Sequence, residues 1–120
     1  MARQDFIDQL EALGYKVEER GDFRLAFRYI VPIGRFEGKE ILLGFIVTDD
    51  FPLNPPSGPH LWPQILPLNT NSNEHPHGGI HSSPFGSEWE YWSRPFQGWA
   101  ATDRTVRAYM AHIRGLFYNQ

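Results

Sequence analysis

The residues with the richest chemistry are histidines and serines in one stretch that is also rich in proline, asparagine and glycine. Four of the five histidines lie in or beside it: His60, His75, His77 and His81. Imidazole exchanges a proton near neutral pH and can attack an activated acyl group. Ser82 and Ser83 directly follow His81, and a serine hydroxyl becomes a nucleophile when a nearby histidine takes its proton. We therefore expect any reaction to take place in this stretch.

The same histidines offer the ligands of a metal site. The candidate ligands are His75, His77, His81 and either Glu74 or Glu88. Three imidazoles and one carboxylate are a common ligand set for zinc. Gly78 and Gly79 disfavour the helix that would place His77 and His81 on one face, so the metal itself would have to order the loop. A metal-dependent hydrolase stays an alternative, but we expect no metal and no other cofactor.

Length and composition limit the remaining possibilities. The 120 residues are read as a single domain, residues 1–120, with 41% hydrophobic and 15% aromatic residues to form a core. The net charge of −3 provides no positive field for a nucleic acid or an anionic membrane surface. The chain contains no cysteine, which excludes disulfides, thiolate metal ligands and a cysteine nucleophile. Without a leader-like run in residues 1–8 or a membrane span, we expect a soluble, cytoplasmic protein.

The elements that would position the histidines begin with a short helix and a set of strands. Phe6, Ile7, Leu10 and Leu13 follow helical spacing between Asp5, a candidate N-cap, and Gly14, which suits a left-handed C-terminus. Alternating apolar residues then predict strands around Tyr15 to Val17 and Phe23 to Val31. Residues 41–47 predict a central strand covered on both faces, and residues 61–66 a short fourth strand.

The second half of the chain has a long loop and a closing helix. Eight of the ten prolines lie between Pro52 and Pro84, which disfavours regular structure there. The stripe Val106, Tyr109, Met110, Ile113 and Phe117 predicts an amphipathic helix, with Thr102 and Asp103 as candidate caps. Trp89, Trp92 and Trp99, with Tyr91 and Phe96, can stack a ligand or cover the core, and we expect at least two of the four tryptophans to be packing residues.

Four segments of the chain follow one another in an order that matches a known family. Residues 51–56 read Phe-Pro-Leu-Asn-Pro-Pro, residues 75–77 read His-Pro-His, residues 79–81 read Gly-Ile-His, and the Trp92 or Trp99 region comes after them. These segments resemble the aromatic-Pro-x-x-Pro-Pro, His-Pro-Asn, Gly-x-Ile-Cys and Trp-x-Pro segments, in that order, of the ubiquitin-conjugating enzyme superfamily in its divergent bacterial branch. The resemblance implies an α+β ubiquitin-conjugating fold: an N-terminal helix, an antiparallel meander of about four strands, a Pro-rich active-site loop and a C-terminal helix.

The resemblance also implies roles for the loop residues. His81 stands where the family has the cysteine that carries a ubiquitin-like protein as a thioester, but an acyl-imidazole hydrolyses readily. Ser82 or Ser83 would instead form a longer-lived oxyester if a histidine removed the hydroxyl proton. His77, in place of the family's Asn, would help to stabilise an oxyanion, and His75 would hold the loop. We expect residues 51–56 and the histidine segment to pack together and form a groove for a peptide end.

The function implied is that of a bacterial, cysteine-less transferase-like component of a ubiquitin-like conjugation pathway. It would handle the C-terminal tail of the modifier at the histidine-rich loop, with a ubiquitin-like protein and an activating enzyme as partners. The alternative from another class is a catalytically inactive module that binds one of these two partners and leaves the chemistry to others.

Overall fold

The computed structural model describes residues 2–65 and 80–118, and His75 and His77 lie outside these ranges. The elements are α1 (Ala2–Ala12), β1 (Glu18–Gly21), β2 (Arg24–Ile30), β3 (Glu40–Ile46), β4 (His60–Trp62), β5 (Ile80–Ser83), β6 (Gly86–Trp92), a 3-10 helix (Trp99–Ala101) and α2 (Val106–Tyr118). The chain is therefore mixed α+β. Neither α-helix among the described residues is long and apolar enough to cross a membrane.

The sheet corrects the expected ubiquitin-conjugating arrangement of an N-terminal helix with about four strands. It has six strands in the order β1-β2-β3-β4-β6-β5, each pair of neighbours antiparallel, and it curls into a half-barrel. The two additional strands are the β5–β6 hairpin, which the sequence interpretation assigned to the loop and to a tryptophan-rich connection. Because β6 pairs with β4, the hairpin extends the sheet beyond the fourth strand instead of leaving that strand at the edge.

The inner face of the sheet carries the core. Residues of β2 and β3 that point to this face are fully buried: Leu25, Phe27, Tyr29, Ile41, Leu43 and Phe45. They pack with α1 and α2, which also contact each other. Phe6 of α1 lies edge-on to Phe51 at 5.0 Å between ring centroids and to Phe45 at 5.9 Å. The predicted alternation of β2 is thus confirmed, except that Phe23 is 48% exposed and lies in the β1–β2 turn with φ of 65°.

Helix α1 begins before its predicted N-cap and ends where expected. It starts at Ala2, so Asp5 lies in its first turn, where a carboxylate complements the helix dipole but does not cap the helix. Gly14 has φ of 99°, and Tyr15 N–H donates to Leu10 O at 3.2 Å, as in a glycine-terminated helix. Leu13 is 44% exposed and does not join the buried stripe of Phe6, Ile7 and Leu10.

Helix α2 is present as predicted, but another residue caps it. Val106, Tyr109, Met110, Ile113 and Phe117 are all buried. The Thr105 hydroxyl accepts a hydrogen bond from Ala108 N–H at 3.2 Å, so Thr105 is the N-cap. Thr102 and Asp103 act one step earlier, where their side-chain oxygens accept from the backbone N–H groups of Arg104 and Thr105. The three residues form one continuous entry into the helix.

Candidate functional site

Strand β5 carries three of the five residues that the sequence nominated for catalysis. His81 and Ser82 are exposed, and Ser83, at the end of the strand, is half-buried. In the antiparallel pairing with β6, His81 lies opposite Tyr91 and Ser82 opposite Glu90. Since side chains alternate along a strand, His81 belongs to the outer face of the sheet, together with Tyr91. Ser83 follows an irregularity in the pairing with β6, and its contact with His60 places it on the same face. His81 and Ser82 therefore do not share a face, and the nominated residues do not act as one cluster.

The Ser83 hydroxyl lies next to a histidine that the sequence interpretation gave no role. The Ser83 Oγ to His60 Nδ1 distance is 2.8 Å, although the two residues are 23 positions apart. Phe85 N–H also donates to Ser83 Oγ, at 3.1 Å. The strand order β4-β6-β5 creates this contact, because the β5–β6 turn bends back over β4. A serine and a histidine within hydrogen-bond distance are the minimal arrangement of a nucleophile and its base.

His60 is held rigidly between two aromatic rings. Its ring centroid lies 4.6 Å from that of Tyr91, in a stacked arrangement, and 4.7 Å from that of Phe85. The residue is only 3% exposed. This burial disfavours the charged imidazolium and lowers the pKa of His60 to about 4. His60 is therefore neutral at pH 7.

The turn between β5 and β6 is fastened to the outer face of the sheet. Phe85 packs over Gly44 of β3 so closely that a Cβ atom on Gly44 would lie 2.7 Å from Phe85 Cε2. Arg24 of β2 donates to the carbonyl oxygen of Pro84 at 2.9 Å, and its guanidinium lies 5.9 Å from the Phe85 ring centroid. Trp89 stacks beside Phe85, with ring centroids 4.8 Å apart. Gly44 and Phe85 together let the turn rest on the sheet and hold Ser83 against His60.

The proline-rich segment that supports the family resemblance ends beside the same strands. Tyr91 donates its hydroxyl hydrogen to Ser57 Oγ at 3.0 Å, and Ser57 directly follows residues 51–56. On the neighbouring strand, the His81 ring centroid is 6.2 Å from that of Tyr91. Trp92 N–H bonds to Pro59 O at 2.9 Å, which fixes the segment along β6. Tyr91 therefore lies between the end of the proline segment and His81.

Strand β6 also anchors both ends of the stretch that contains His75 and His77. On one side, Ile65 N–H donates to the buried Glu90 carboxylate at 3.1 Å. On the other side, Ile80 pairs with Trp92, whose indole N–H also donates to Glu90 at 3.1 Å. The expected roles of His75 and His77 fall outside the described residues. The last described residue before this stretch, Ile65, and the first one after it, Ile80, nevertheless both contact β6.

The rest of the outer face forms an open groove with a mixed lining. A cavity of about 450 Å³ lies between β1 and the centre of the sheet, lined by Lys16, Val17, Glu18, Arg20, Ala26, Phe27, Arg28 and Leu42. A second pocket of about 320 Å³ is lined by Trp62, Pro63, Gln64, Ser87 and Glu88. Leu42 pairs with Trp62, which is 39% exposed, so apolar surface connects the two.

The tryptophans follow the packing expectation. Trp92 and Trp99 are buried in the core, and Trp89 is 5% exposed on the outer face.

Within residues 2–65 and 80–118, no group of three histidines or carboxylates is placed to hold a metal. Three of the proposed metal ligands, Glu74, His75 and His77, lie outside those ranges.

The residue that sequence reasoning missed is His60, because its partner is brought near only by the β5–β6 hairpin. One signal for the hairpin is present in the sequence: Glu88, Trp89, Glu90 and Tyr91 alternate between charged and aromatic residues, as in a strand with two different faces.

No family model, no curated protein and no solved structure matches the chain.

Proposed function

We propose that the protein is a component of a ubiquitin-like conjugation pathway that binds the C-terminal tail of the modifier beside β5 and β6. The observation that carries the proposal is the position of Tyr91 between Ser57 and His81. Its hydroxyl bonds to Ser57, which directly follows residues 51–56, and its ring lies 6.2 Å from that of His81.

The chemistry of this surface suits a slender peptide end. Ser57 and His81 are exposed and supply hydrogen-bonding side chains, and the half-buried Tyr91 ring supplies apolar contact area. Strand β5 is at the edge of the described sheet, and an extended peptide can pair with an edge strand through its backbone. The absence of cysteine means that the tail would not be held as a thioester.

The proposal predicts tail-dependent binding. ¹⁵N-labelled protein is titrated with a panel of ubiquitin-like proteins, each in its full-length form and in a form without its last six residues. We expect at least one full-length protein to shift the amide resonances of Ser57, His81 and Tyr91, and its truncated form to leave them unchanged. Tyr91→Ala should weaken the binding at least tenfold, whereas Arg107→Glu on the exposed part of α2 should not change it.

The proposal fails if no member of the panel shifts these resonances, or if the truncated forms shift them equally. A tail-dependent response confined to residues of α1 or α2 would also contradict it, because these helices cover the inner face of the sheet.

A further inference from the structure

We propose that Ser83 accepts an acyl group from a thioester, with His60 as the base that removes the hydroxyl proton. The inference rests on the proposed function for the identity of its acyl donor, the activated tail of a modifier. Its geometry, however, stands on the described residues alone. The 2.8 Å distance from Ser83 Oγ to His60 Nδ1 is within the range that proton transfer from a nucleophile to its base requires.

The surroundings of Ser83 indicate which partner donates in this hydrogen bond. Ser83 Oγ already accepts from Phe85 N–H at 3.1 Å. Among the described residues, His60 Nδ1 is the acceptor that the structure offers to the Ser83 hydroxyl hydrogen. If His60 carried its proton on Nδ1 instead, that hydrogen would lack this acceptor. The arrangement in which Nδ1 accepts satisfies both groups and leaves the serine proton on the path to the imidazole.

The two rings that enclose His60 keep it in position for this role. Tyr91 and Phe85 lie 4.6 Å and 4.7 Å from it, between ring centroids, and leave its ring little freedom to turn. Phe85 thus contributes twice, because its backbone N–H also fixes the Ser83 hydroxyl.

The proposed reaction needs no reactant other than the acyl donor. Ser83 Oγ attacks the thioester carbonyl carbon while its proton moves to His60 Nδ1, giving a tetrahedral intermediate. The carbon–sulfur bond then breaks, and the departing thiolate takes the proton back from His60. The products are a serine ester and a free thiol, with His60 neutral again. No oxidant, reductant or metal takes part.

The strength of the base limits the class of substrate. With its pKa lowered to about 4, His60 is neutral and available at pH 7 but is a weak base. Such a pair suits donors that expel a good leaving group, as thioesters do. The proposed donors are therefore activated carbonyl groups such as thioesters.

The test uses a fluorophosphonate, which traps an activated serine irreversibly and requires no modifier. We expect peptide mass spectrometry of the labelled protein to place the phosphonate on Ser83, and Ser83→Ala to abolish labelling. His60→Asn keeps a hydrogen-bond acceptor near the position of Nδ1 but removes the basic nitrogen, and it should slow labelling at least tenfold. Ser87→Ala, which changes an exposed serine of the neighbouring strand β6, should leave the labelling rate unchanged.

The pH profile of the wild-type protein gives a second measurement that does not depend on a variant folding. If His60 is the base, the labelling rate is constant from pH 8 to pH 5.5 and falls below pH 5 as His60 becomes protonated. A rate proportional to hydroxide concentration, labelling on another residue, no labelling, or equal rates in wild type and folded His60→Asn overturns the inference. None of these outcomes affects the noncovalent tail binding, which the titration tests separately.

Discussion

The two faces of the sheet are built on different principles, although the same strands supply both. On the inner face, β3 presents Ile41, Leu43 and Phe45, all buried in a continuous apolar core beneath α1 and α2. On the outer face, the same strand presents Leu42 and Gly44. Only a small part of this strand's outer face is covered, where the β5–β6 turn packs over Gly44. The inner face stabilises the fold, while the outer face holds a histidine, a serine and their aromatic neighbours in a fixed arrangement. On the inner face, the buried carboxylate of Glu90 is held by hydrogen bonds from Trp92 and Ile65, whereas polar side chains of the outer face are partnered or reach water.

The contrast between the two faces of the sheet predicts the largest difference in stability for substitutions of two neighbouring leucines of β3. Leu43→Ala removes a fully buried side chain from the core and should lower the free energy of unfolding by about 2–5 kcal/mol. Leu42→Ala, on the half-covered outer face, should cost no more than about 1 kcal/mol. Urea denaturation of both variants measures the difference. Equal losses would mean that the two faces contribute alike and would remove the contrast.

The buried His60 should make the outer face sensitive to acid. Because the pKa of His60 is about 4 in the folded protein and about 6.5 when exposed, the unfolded chain binds the extra proton between these pH values. Stability attributable to His60 is therefore complete above pH 6.5 and is lost as the pH falls to 4, by about 3 kcal/mol.

Denaturation of wild type and His60→Asn at a series of pH values measures this loss. The stability difference between the two proteins should shrink as the solution is acidified, because only wild type carries this cost. A difference that is constant from pH 7 to pH 4 would show that His60 titrates normally in the folded protein.

The close contact between Gly44 and Phe85 gives the next largest effect. Gly44→Ala places a Cβ 2.7 Å from Phe85 Cε2, so the ring must move, at a cost of about 1–3 kcal/mol. Phe85→Leu should relieve part of that cost in the double variant. Gly115→Ala in α2, where a Cβ meets no atom within 4 Å, is the matched control and should stabilise the protein by about 0.5–1 kcal/mol. If Gly44→Ala were equally stabilising, the turn would not rest on the sheet as described.

The smallest effect is expected at Tyr91. Tyr91→Phe removes only the hydroxyl that donates to Ser57 and should reduce stability by about 0.5 kcal/mol, since that bond is exposed. The same variant should weaken tail binding more than it weakens the fold, because the tail would meet this hydroxyl directly. Thermal denaturation and the titration, performed on one sample, separate the two effects. A loss of stability above about 2 kcal/mol would give Tyr91 a structural role instead.

The sequence was sufficient for elements whose signal is local. The stripe from Val106 to Phe117 predicted α2, and the alternation Leu25, Phe27, Tyr29 and Val31 predicted the buried side of β2. Gly14 marked the end of α1, because a helix often ends in a left-handed backbone conformation that glycine adopts without strain. In each case the residues that decide the structure lie within a few positions of one another.

The sequence was insufficient where the deciding contact joins distant residues. The six-strand sheet depends on β6 pairing with β4 across 29 positions, from Leu61 to Glu90, and no local pattern specifies that partner. Ser83, a predicted candidate, lies beside a histidine, but His60 could be identified as that histidine only once the hairpin was placed. His81 was nominated because it stands where the family has its cysteine, and Ser82 because it directly follows His81. Strand alternation separates these two neighbours onto opposite faces.

The proposed reactivity of Ser83 depends most directly on which group donates in its hydrogen bond with His60. Long-range ¹H–¹⁵N NMR spectra of the histidine rings report which nitrogen carries the proton. At pH 7 we expect His60 to be neutral, with its proton on Nε2 and with Nδ1 accepting from the Ser83 hydroxyl. The protonated ring, or the neutral form with its proton on Nδ1, would contradict the account, because Nδ1, the atom that faces Ser83, would then have no lone pair to receive the serine proton.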